Sequence, residues 1–119
     1  MKKGILINVN TQQVNYVVLG NDYREIYPLI NAHLFDVIRI NRSNDLYVDD
    51  EGLLTLTEES KFFLIKGYPQ PIAGSGLILG HNDEGESIST DLTIEQVITT
   101  ITFLDMLDVI NYLQIKGND

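Results

Sequence analysis

Two histidines, His33 and His81, are the only imidazoles in this sequence, and cysteine is absent. Without thiols there can be no disulfide, no thiolate nucleophile and no cysteine-ligated metal. An imidazole can activate a serine when a carboxylate orients it. His81 is followed by Asp83 and Glu84, then by Ser87 and Ser89, so hydrolytic chemistry would have to be assembled here. Neither serine lies in the Gly-x-Ser-x-Gly elbow that exposes a nucleophile at a strand-to-helix turn. His33 falls near the end of a predicted helix, where the macrodipole favours a cation.

Carboxylates offer three further candidates. Asp45, Asp49, Asp50 and Glu51 could present oxygen ligands to a hard cation, and Asp83, Glu84 and Glu86 form a second set. Neither follows the alternating spacing with a terminal Glu that a calcium loop needs, so both read as solvated turns. Asp105 and Asp108 stand three apart and would share a helix face. With no base nearby in sequence they read as an exposed stripe. Gly74-Ser75-Gly76-Leu77-Ile78-Leu79-Gly80 imitates a phosphate-cradling loop, but Leu79 occupies the sixth position of the dinucleotide fingerprint and no Lys-Ser/Thr pair follows. A strand closely approached by another backbone is the better reading. The sequence therefore predicts no catalytic residue, no metal and no cofactor, in a protein that is not an enzyme.

The elements that must position these residues are legible in part. Ile5 to Val9 and Val14 to Leu19 predict a hairpin. Asp22 with Glu25 predicts a capping box opening a helix through Ile26, Leu29, Ile30 and Leu34, with Pro28 either kinking or starting it. Phe35 to Ile40 predicts a strand. Leu46 to Val48 and Leu53 to Leu56 predict a second hairpin around Asp49-Asp50-Glu51-Gly52, with Gly52 at positive φ. Phe62 to Ile65 is apolar, Gly67 to Pro71 irregular, and Ile72 to Leu79 strand-like. Thr93 with Gln96 predicts a capping box for one long closing helix. Its stripe is Ile94, Val97, Ile98, Ile101, Leu104 and Leu107, and Gly117 ends it. The expected fold is α+β in a single domain, residues 1–119: a mainly antiparallel sheet with two helices, the C-terminal helix the longer.

Charge is unevenly placed. Residues 1–40 hold four bases against three acids; residues 41–119 hold four bases against fourteen acids, within a net charge of −9. Such a surface repels nucleic-acid phosphates and anionic membranes. The apolar run after Lys2-Lys3 is too short for a signal peptide, and no stretch approaches a membrane span. A cytoplasmic protein is expected, with no direct nucleic-acid or membrane partner.

The order of these segments is similar to a known family. A Phe35-Asp36-Val37-Ile38 strand leads to Leu46-Tyr47-Val48-Asp49-Asp50-Glu51-Gly52. Pro71-Ile72-Ala73-Gly74-Ser75-Gly76-Leu77-Ile78-Leu79-Gly80 follows, then an acidic loop and a helix opened by Leu92-Thr93. This resembles small proteins of the family known as domain of unknown function 3846. The resemblance implies the fold and a setting in bacteria, phages or plasmids. It carries over no activity and no site residue.

Binding remains as the expected mode of action. The closing helix turns apolar nearly all round from Phe103 onward, and such a helix calls for cover on more than one side. Phe103, Met106, Val109, Ile110 and Leu113 are therefore expected at a homodimer contact. Tyrosines outnumber phenylalanines six to four, and tyrosine suits contact surfaces. Tyr68, beside two prolines, heads a second expectation: a small-ligand pocket with Ile72, Gly74 and Gly76. A third reading is an acidic mimic of nucleic acid that blocks a DNA-binding enzyme.

Overall fold

The computed structural model describes residues 1–117. Strands β1 (Lys2–Asn8) and β2 (Gln13–Leu19) form the expected hairpin, from Lys2 opposite Leu19 to Asn8 opposite Gln13. The Asn8 side-chain oxygen accepts the N–H groups of Asn10 and Thr11 at 3.0 and 3.2 Å, which holds the turn. Strand β7 (Gly76–His81) pairs with the other edge of β1. Next to it come β4 (Asn44–Asp49) and then β3 (Phe35–Arg39), giving the order β2-β1-β7-β4-β3. Strand β8 (Ser87–Ile88) adds to the end of β7. Every pairing is antiparallel.

Alternation along these strands sorts the side chains onto two faces. Leu19, Tyr47, Leu77 and Leu79 face the short helix α1 (Ile26–Ile30), whose Ile26 and Ile30 are buried against them. Ile5, Ile7, Leu46, Val48 and Ile78 face a second antiparallel sheet. Its order is β6-β5-β9, with β5 (Lys61–Ile65), β6 (Ile72–Ala73) and β9 (Ile101–Asp105). Helix α2 (Ile94–Ile98) fills the same layer through Val97. The adjacent Phe62 and Phe63 are both fully buried because they point to opposite faces of β5. Phe63 joins the core between the sheets, and Phe62 packs under α3 (Met106–Gly117) with Val109 and Met106. The architecture is thus α+β, and α3 is the longest helix among the described residues.

Four expectations about elements are corrected. The long closing helix is three elements. Its Thr93 capping box is present, with Gln96 N–H donating to Thr93 Oγ1 at 3.2 Å and Thr93 N–H to Gln96 Oε1 at 2.9 Å. The helix then stops, because Thr99 and Thr100 turn their hydroxyls back onto the carbonyls of Gln96 and Val97. Ile101-Thr102-Phe103, β-branched and aromatic, continues as a strand paired with β5. The stripe at 101, 104 and 107 matched a helix by coincidence of spacing.

The second predicted hairpin does not form. Both edges of β4 are already taken by β3 and β7. Gly52–Leu54 instead makes a 3-10 turn that leaves the sheet. Gly52 is needed for close approach and not for positive φ: a methyl there would stand 2.9 Å from the Ala73 carbonyl oxygen. The strand predicted from Ile72 to Leu79 changes sheets at Gly74, whose φ of 86° few other residues tolerate. The first helix is also shorter than expected. Asp22 caps a 3-10 turn (Tyr23–Glu25), and Glu25 accepts the Gly20 N–H at 3.0 Å in place of closing a capping box. Pro28 lies in the first turn of α1, where its missing N–H costs no intrahelical bond.

Candidate functional site

The histidine–serine arrangement resolves into separate pairs. His81 Nδ1 lies 2.9 Å from Asp45 Oδ2 across the β4–β7 end of the sheet, and both side chains are largely buried. Ser87 Oγ is 3.0 Å from the Tyr47 hydroxyl, and Ser89 Oγ accepts the Lys3 N–H at 2.8 Å. Each serine is thus held by a partner other than the imidazole. His33 lies just past α1, after Asn31, which closes that helix in the left-handed conformation.

Several of the carboxylate candidates are engaged in hydrogen bonds. Asp105 is the last residue of β9 and the cap of α3. Its carboxylate accepts the Asp108 N–H at 2.8 Å, and Asp108 returns a bond to the Asp105 N–H at 3.1 Å. The Asp108 backbone N–H, chiefly, holds the Asp105 carboxyl below its usual range, with the Lys61 charge adding a smaller pull. Asp49 Oδ1 accepts the Glu51 N–H at 2.9 Å, while Asp45 is turned to His81. In the β7–β8 turn, Asn82 binds the N–H groups of Glu84 and Glu86 through its side-chain oxygen. Among the described residues no three His, Cys, Asp or Glu side chains converge on a point.

Two glycines of the run, Gly76 and Gly80, allow close packing. A methyl on Gly76 would stand 2.8 and 2.9 Å from the Leu46 and Phe63 side chains, and one on Gly80 would stand 2.6 Å from the Ser89 carbonyl oxygen. Only Gly80 meets the backbone approach expected from the sequence; Gly76 is approached by side chains, and Gly74 by nothing within 4 Å.

The residues expected at a homodimer contact divide. Phe103 packs into the core between the sheets, and Val109 and Met106 cover Phe62. Ile110 and Leu113 are open to solvent, 43% and 56% exposed, and Leu107 beside them is 65% exposed. Residues 107, 110 and 113 recur at helical spacing. The sheet covers one part of α3's apolar arc and leaves this part bare.

The residues expected at a ligand pocket also divide. Tyr68 and Ile72 line an open groove of about 280 Å³ together with Leu53, Leu54 and Pro71. Gly74 lines a neighbouring cleft of about 230 Å³. Gly76 lies beneath Leu46 and Phe63 and lines neither. The contact of Gly52 with Ala73 stands between the two clefts, which share Asp49, Gly52 and Ala73 in their walls. The groove's lining also includes Asp36, Asp49 and Asp50.

Sequence reasoning missed two features. One is Asn44, fully buried, which donates to Asp91 Oδ1 at 2.7 Å and accepts from Thr90 Oγ1 at 2.6 Å, pinning the approach to α2 onto the sheet. The other is the exposure of Leu53, Leu54 and Leu56, which follows from the 3-10 turn that replaced the expected strand.

No helix among the described residues is long and apolar enough to cross a membrane. No curated protein and no solved structure matches the chain. A family model does match, over residues 1–106, ending where α3 begins. The chain belongs to the family described as Domain of unknown function (DUF3846).

Proposed function

We propose that this chain is a non-enzymatic cytoplasmic accessory protein of phage, plasmid or bacterial origin that works by binding, and that it self-associates through α3. The carrying observation is the bare arc of Leu107, Ile110 and Leu113 beside the covered Met106 and Val109. Two copies related by a two-fold axis would lay these arcs together, since one patch then serves both partners. A helix of this length spans about 18 Å, so α3 alone buries less than the roughly 1,000 Å² of a stable interface. The dimer is accordingly weak and forms at raised concentration. That Ser87 and Ser89 are each held by a partner other than His81 supports the non-enzymatic part.

Sedimentation velocity tests the reading. The mass should rise from monomer toward dimer between low and high micromolar protein. Ile110→Gln with Leu113→Gln should hold the chain monomeric with little change in its melting temperature, because both side chains are exposed and Gln is a good helix former. A wild-type chain that stays monomeric at high micromolar concentration refutes the self-association.

A further inference from the structure

We infer that the groove between the Gly52–Leu54 turn and the Tyr68–Ala73 segment docks a basic, amphipathic peptide segment of another protein, one that sets Lys or Arg beside a bulky aliphatic side chain.

The floor of this groove is Ile38, Val48 and Ile72. Val48 and Ile72 belong to the core between the sheets, so the floor is rigid. One wall is Leu53 and Leu54, which are 63% and 80% exposed. These two adjacent leucines stand outward from a turn whose Gly52 alone is buried, and form an exposed apolar surface in want of a partner. Asp36, Asp49 and Asp50 stand in the lining, and its described residues include no Lys, Arg or His.

These features select the occupant. A purely apolar segment would strand three carboxylates against it without counter-charge, which is costly once water is displaced. Nucleic acid and anionic lipid are repelled by the same groups. A metal ion does not fit: Asp36 Oδ1 already accepts the Val37 N–H at 2.8 Å and Asp49 Oδ1 the Glu51 N–H, and the three do not converge. An extended segment that lays aliphatic carbon against Leu53 and Leu54 and carries ammonium or guanidinium groups to the aspartates satisfies both parts of the lining. Lysine and arginine suit this doubly, because their methylene stems pack on apolar surface while the charge stays at the rim.

The inference is separable from self-association, since the groove lies in residues 36–73 and the bare arc on α3. The probe is an acetylated, amidated octapeptide of alternating Lys and Leu, with Lys–Ser and Glu–Leu octapeptides as comparators. Titration into the full chain followed by amide NMR should move Leu53, Leu54, Tyr68 and Ile72 with the Lys–Leu peptide and leave them in place with the other two. Leu54→Ser, and Asp36→Asn with Asp50→Asn, should each weaken binding about fivefold or more, a change of about 1 kcal/mol. Asp83→Asn with Glu84→Gln removes the same charge from the distant β7–β8 turn and should leave the affinity unchanged. Equal binding of the Lys–Ser peptide, equal weakening by the distant pair, or no binding at all would overturn the inference. A monomer that binds the Lys–Leu peptide keeps this inference and removes the dimer; a dimer that ignores the peptide does the reverse.

Discussion

Asn44 shows how much a single polar side chain can organise. Fully buried, it links Asn41, Thr90 and Asp91. Asn44→Ala should cost about 1–3 kcal/mol, because it takes the hydrogen-bond acceptor from the buried Thr90 hydroxyl; urea denaturation would read this as a lower midpoint at unchanged slope. Gly76→Ala should also destabilise, by about 1–3 kcal/mol, since the added methyl meets Leu46 and Phe63 below 3 Å. Asp105 gives a pH dependence with a definite sign. Its carboxyl is held below the ordinary aspartate range by the Asp108 N–H, so its contribution is complete above that range and is lost as pH falls through the lowered value. Amide protection in the first turn of α3, taken relative to the intrinsic exchange rate at each pH, should therefore fall on acidification. Asp105→Asn should remove that dependence while keeping the cap, and Asp105→Ala should fray the turn at every pH.

At the scale of elements, the sequence was legible where the local signal and the packing agreed. The β1–β2 hairpin and the Thr93–Gln96 capping box are two such places. It was misleading where a pairing made elsewhere decided the outcome. Leu53 to Leu56 carries a strand pattern, but β4 has no free edge to offer it. Ile101 to Leu104 carries a helix pattern, but β5 needed a partner and the run of threonines favoured extension. The candidate site inherits both errors. Phe103 went into the core with β9, and the leucines that wall the groove came from the strand that never formed. Tyr68 and Ile72 could be found from sequence because an irregular Pro-rich segment beside a strand predicts a surface edge. A paired test separates buried from bare positions. Phe63→Ala should cost about 3–5 kcal/mol, whereas Ile110→Ser should change stability by less than about 0.5 kcal/mol. Thermal or chemical melts of the two variants decide it; equal losses would mean that α3's outer arc is covered within the monomer.

For the whole molecule, net charge sets opposite responses to salt. A chain of charge −9 repels its own copies, and salt screens that repulsion. Self-association should strengthen between about 50 and 500 mM salt, while docking of a cationic segment in the groove should weaken over the same range. Sedimentation and titration at matched salt would show the two trends diverging. The matched family segment ends where α3 begins, so the groove lies within that segment and the bare arc beyond it. On this reading α3's bare arc is a working surface. Its most direct measurement is a dilution series of methyl NMR spectra. The Leu107, Ile110 and Leu113 methyl signals should shift steadily as the protein is concentrated, while those of the fully buried Leu77 and Ile78 stay fixed. Arc methyls that hold their positions up to millimolar protein would contradict it.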